Sequence, residues 1–166
     1  MLHSGNRLDI PPVTQAVVAG ALVVAALNGI AGLLGAWVWY RGEPGAGAAG
    51  AFWVLLRVGQ GSALTLAIAV GSLAAAGKHP RESLFYLYAL LPLAVAFVAE
   101  QLRVTSAQTI LDQHGLEDAR AVGTLPEPEQ QTLVASVLRR EMGVMALSAL
   151  VVVFLALRAA GTAHGF

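Results

Sequence analysis

Long apolar runs separated by short polar breaks dominate the pattern along this chain. Residues 13–40 carry no charged side chain. Wound into a helix, these 28 residues would reach about 42 Å, more than the roughly 30 Å of a bilayer's hydrocarbon core. A cleavable secretory leader competes for this run, but the apolar part of such leaders is only about 7–15 residues long. The run is preceded by a polar leader containing Arg7 and Asp9. Residues 41–50 (RGEPGAGAAG) form a Gly/Pro-rich turn, and a second apolar run over 51–76 is broken only by Arg57 and Gln60. Residues 77–81 make the next turn, with Pro80 suited to the first position of a new helix. The third run covers 83–99, with Pro92 as a place for a kink. The fourth covers 142–157, with Arg158 placed to snorkel at its end.

Between the third and fourth runs the pattern changes without losing helical character. The third helix continues through Gln101 to Gln113, and Gly115 suits the left-handed residue that ends a helix, with Leu116 behind it. Residues 116–122 read as a short helical turn. Thr124 to Glu127 resembles a capping box, although Pro128 disfavours helical backbone in the residue before it. Leu133, Val134, Val137 and Leu138 then recur at helical spacing, and Leu102, Ala107, Ile110 and Leu111 offer a matching stripe. The pattern predicts an all-α integral membrane protein: a four-helix transmembrane bundle with an extramembrane helical hairpin between helices three and four. The helices fall at about 13–40, 51–76, 82–113 and 127–160 of a single domain covering 1–166, with the hairpin arm at about 101–141.

Composition agrees. Hydrophobic residues make up 57% of the chain and charged residues 12%, about half the charged share of a soluble domain. Ten basic and ten acidic residues cancel, which argues against nucleic acid as a partner. All three Trp and all three Tyr lie near predicted span ends, where amphipathic rings are favoured at a membrane–water boundary. The Arg-over-Lys and Ala/Gly bias fits a GC-rich bacterial genome and hence a bacterial cytoplasmic membrane. Four crossings put both termini on one side with the 77–81 turn (end A), and the 41–50 turn and the arm on the other (end B). Lys and Arg counts near the helix ends almost tie, so the positive-inside rule does not choose an orientation.

Two constellations stand out. Gly59, Ala63, Ala67, Gly71 and Ala75 are spaced four apart along the second helix, a row of small side chains that lets another backbone approach closely. Packing within the monomer and homo-oligomerisation both use such a row. The second constellation is a buried polar cluster: Arg57, Gln60, Glu100, Arg103, Arg140 and Glu141 gather where the arm meets the spans at end B, with Arg57 and Gln60 expected to point into the bundle. Ionisable groups in a membrane span are costly and usually paired. An ion pathway through Arg57, Gln60 and Glu100 competes with structural pairing of Arg57 to Glu100 or Glu141. Depth favours pairing, because Arg57 lies only about 10 Å along the helix from Ala51. Asn28 is the deepest strongly polar side chain of the first helix and is expected to bond a neighbouring helix.

No catalytic, cofactor or metal motif is present. The chain has no cysteine, and its four histidines lie outside the spans or at their ends. The expectation is a non-enzymatic scaffold, accessory subunit or small oligomeric membrane protein without a cofactor. Its partners would be the lipid bilayer and a second copy or another membrane subunit. A small ion or solute channel or transporter is the alternative.

Overall fold

The computed structural model describes residues 11–42, 46–116 and 120–164, apart from the side chains of Ala46 and Ala107. The leader with Arg7 and Asp9, part of the 41–50 turn, part of the 116–122 turn and the Ala107 side chain of the arm stripe therefore lie outside the described residues. Four long helices carry the fold: α1 (Pro12–Arg41), α2 (Ala46–Ala75), α3 (Leu84–Gln113) and α4 (Glu127–Thr162). A short 3-10 turn over Ala121–Thr124 precedes α4. All four helices are long and apolar enough to cross a membrane. α1 packs on α2 and most extensively on α4; α4 also packs on α3, while α2 and α3 meet less closely.

The buried positions follow a spacing that the all-round apolar sequence conceals. On α2 the seam runs through Phe52, Leu56, Gly59, Ala63, Leu66 and Val70, with Ala49 and Ala67 buried beside it; on α4 it runs through Met142, Met145, Ala149, Val152, Ala156 and Ala159, with Ala146 and Leu155 beside it. Steps of three and four alternate, which keeps one seam facing its neighbour, as in shallow-angle helix packing. Within the chain, the predicted row of five small residues follows this seam only in part. A step of four overshoots a full turn by about 40°, so the row winds off the contact face. Gly59, Ala63 and Ala67 are buried, but Gly71 and Ala75 are exposed, and a Cβ on Gly71 would meet nothing within 4 Å.

Two apolar clusters fill the bundle. Toward end A, Val24, Leu66, Val70, Phe85 and Val152 pack together; toward end B, Val38, Phe52, Leu56, Met142 and Met145 do. Asn28 is buried against Gly59, where a Cβ would stand 2.9 Å from its Oδ1. Its amide donates to Val24 O at 2.9 Å, on its own helix rather than on the expected neighbour. At end A the Arg81 N–H donates to His164 O at 3.0 Å, tying the α2–α3 turn to the end of α4.

Local chemistry sets the helix ends. Gly77 and Gly115 adopt left-handed backbone (φ 77° and 69°). In each case the glycine and the residue after it return N–H bonds to the last turn, Gly115 to Asp112 O and Leu116 to Leu111 O, both at 3.0 Å, which satisfies otherwise orphaned carbonyls. Three boundaries differ from the sequence reading. α2 starts at Ala46 because its alanine-rich opening tolerates helix and already buries Ala49 and Phe52. α3 starts at Leu84 rather than at Pro80, which is buried in the turn. α4 has Pro126 as its N-cap and no capping box; Thr124 Oγ1 instead donates to Ala121 O at 2.7 Å within the 3-10 turn.

The ends of α3 and α4 run on together past the two main clusters. Ile110, Leu111 and Leu133 are buried there, with Leu116, Val122, Leu125 and Val137 packed around them. Leu102 and Val134, expected in the same stripe, are instead exposed.

Candidate functional site

The charged side chains of end B separate into two corners. In the first, α2, α3 and α4 converge. Arg57 of α2 donates from one Nη1 to Gln60 Oε1, a turn along its own helix at 2.7 Å, and to Glu100 Oε1 of α3. Glu100 also accepts from Arg103 Nε at 2.9 Å, and Arg103 reaches Glu141 of α4 at 3.6 Å. Five of the six polar residues singled out in the sequence thus form one chain linking three helices. The cluster is not buried inside the bundle as expected but lies at its edge: the Arg57 side chain is 53% exposed and that of Glu100 26%, because Arg57 turns away from the packed face of α2. α2 and α3 pack less extensively than α1 and α2 or α3 and α4, and the Arg57–Glu100 ion pair joins them at end B.

Arg140, the sixth, is not part of the chain. Successive residues on a helix point about 100° apart, so the Arg139-Arg140-Glu141 run spreads around α4. Glu141 turns toward α3, whereas Arg139 and Arg140 face the end of α1. There, together with Trp39, Gly42, Ala135 and Ser136, they line an open depression of about 360 Å³. The guanidinium of Arg139 lies 5.7 Å from the Trp39 ring centre. Trp39 reaches across to α4 because Gly143 has no side chain: a Cβ there would stand 2.9 Å from the indole Nε1. Among the described residues, neither Arg139 nor Arg140 has an ion-pair partner.

Sequence reasoning missed this second corner. Its detectable signal was the coincidence of Trp39 and the Arg pair at one predicted boundary. The same pairing recurs across end B: Arg41 lies 4.6 Å from the ring of Trp37, and Arg103 5.7 Å from that of Trp53. Every Trp of the chain therefore has a guanidinium over its face, a contact of about 0.5–1 kcal/mol where exposed. At end A, Arg158 lies 5.4 Å from the ring of Tyr88, and His79 Nδ1 is 2.9 Å from the Tyr86 hydroxyl. Among the described residues, no three His, Asp or Glu side chains are grouped to hold a metal ion. Compared with known proteins, the chain matches no family model, no curated sequence and no solved structure.

Proposed function

We propose that the chain is an integral membrane protein in which α1–α4 cross the bilayer. The ends of α3 and α4 would form an arm outside it, and the protein would serve as a non-enzymatic scaffold or accessory subunit. The observation that carries the reading is the outer surface. Ile30 and Leu33 on α1, Val54 and Ile68 on α2, Phe97 on α3, and Leu147 and Phe154 on α4 are each more than half exposed. In water, apolar surface on every side of a bundle would drive association; in a bilayer it is the surface that lipid wets. The charges and tryptophans gather at the helix ends, as at a membrane boundary.

The polar groups favour a structural over a transport role. Glu100 and Glu141 are engaged by Arg57 and Arg103 at the edge of one end, while the mid-bundle is packed with small and aliphatic side chains around Asn28, whose amide donates within its own helix. The arm supplies a surface for a partner: a groove lined by Val122, Leu133, Val134, Val137 and Leu138, apolar yet on a segment that would face water. Isolation from native membranes in mild detergent tests the role. The expected result is a stable second component, or a homo-oligomer, lost when Val134 and Val137 are changed to Ser. Ion or solute flux through vesicles holding the purified protein, abolished by Glu100→Gln, would place it among the transporters instead.

A further inference from the structure

We propose that the depression between the end of α1 and α4 binds the phosphate headgroup of an anionic phospholipid. The inference rests on the membrane reading above. Four observations support it. Arg139 and Arg140 line one depression and have no ion-pair partner among the described residues, so up to ten N–H donors are available to an anion. Guanidinium groups match phosphate oxygens two at a time, which makes arginine the usual choice for phosphate recognition. One wall is Trp39, a half-exposed ring fixed across Gly143, of the residue type that sits at headgroup depth. Exposed apolar side chains continue down α4 below Arg140 at Leu147 and Phe154, seven and fourteen residues on and hence on the same side of the helix, giving acyl chains a surface to follow.

The other corner sharpens the choice of ligand. Arg57 and Arg103 have carboxylates on neighbouring helices; Arg139 and Arg140 are drawn against the end of α1, where backbone carbonyls supply only a weak partial negative charge. A paired basic pocket between helices at the membrane boundary is the arrangement that holds acidic headgroups. A free phosphate would satisfy the same donors, but it would leave the aromatic and apolar wall below without an occupant, so a lipid is the ligand.

The test uses the purified full-length chain in bilayer discs of phosphatidylcholine with and without phosphatidylglycerol, with retained lipid identified by native mass spectrometry. The expected result is preferential retention of phosphatidylglycerol. Preference should fall about fivefold in Arg140→Gln and about thirtyfold in the Arg139→Gln/Arg140→Gln double variant, and stay unchanged in Arg158→Gln at the opposite end. Arg140 is exposed and makes no described contact that folding needs, so its single variant keeps the test readable if the double variant unfolds. Equal retention of both lipids, or a preference indifferent to Arg140→Gln, overturns the proposal. Inorganic phosphate that competes as well as the lipid also overturns it. So does a preference that emerges only in Glu43→Gln, because the arginines would then belong to the carboxylate next in sequence to Gly42. Failure of the membrane reading looks different: the protein would stay in solution without detergent and enter no disc.

Discussion

Two corners of the same helical end use the same residue type in opposite ways. Where α2, α3 and α4 meet, Arg57 and Arg103 are held by Glu100 and Glu141. Where α1 meets α4, Arg139 lies over Trp39 and with Arg140 lines a depression that has no carboxylate among its described residues. The first corner spends its charge on joining helices; the second leaves its charge available. Three consecutive residues of α4 divide between them, so assignment to a corner depends on helical phase and not on proximity in sequence.

Substitutions can break that comparison. Glu100→Gln is expected to cost the most, about 2 kcal/mol in a denaturant or thermal titration in detergent, because it removes the negative charge that two arginines share and turns one of the two accepting oxygens into an N–H donor. A cost near zero would mean that solvent already screens the corner. Gly143→Val should cost about 1 kcal/mol by overpacking against Trp39 and shift tryptophan emission as the ring is displaced; unaltered emission would contradict the close approach of Trp39 to α4. Glu141→Gln, which weakens one 3.6 Å contact, should cost about 0.5 kcal/mol. Arg140→Gln should leave stability within about 0.5 kcal/mol, as for an exposed residue without a partner. A large loss there would make the second corner a structural clamp like the first.

The sequence was legible at the scale of helices and far less so at the scale of faces. Long apolar runs, charge-free but for Arg57, identify four helices because few other structures accommodate them, and Gly115 marks the end of α3 because left-handed backbone favours glycine. Faces were hidden because a helix apolar all round has no polar side from which to infer its buried one. Hence the evenly spaced row from Gly59 to Ala75 reads as a face in the sequence, while the seam through Phe52, Leu56, Gly59, Ala63, Leu66 and Val70 has no contrast of residue type to mark it. The polar cluster was readable in outline, since charges so scarce and so close in depth must find one another. Arg140 was misplaced because depth along a helix says nothing of direction around it. The Trp39 corner needed the absence of a side chain at Gly143, which becomes meaningful only once α1 and α4 are side by side.

Everything at both corners depends on the four helices crossing a bilayer, and a chain without cysteine allows that to be measured by single-cysteine labelling. Lys78→Cys, Asp112→Cys and Ile68→Cys would each be treated in sealed vesicles with a membrane-impermeant maleimide. Lys78→Cys and Asp112→Cys should react from opposite sides of the membrane. Ile68→Cys, although 62% exposed in the structure, should stay unreactive until detergent is added. Reaction of Ile68→Cys in intact vesicles, or of the other two from the same side, would contradict the bundle as a membrane-spanning unit.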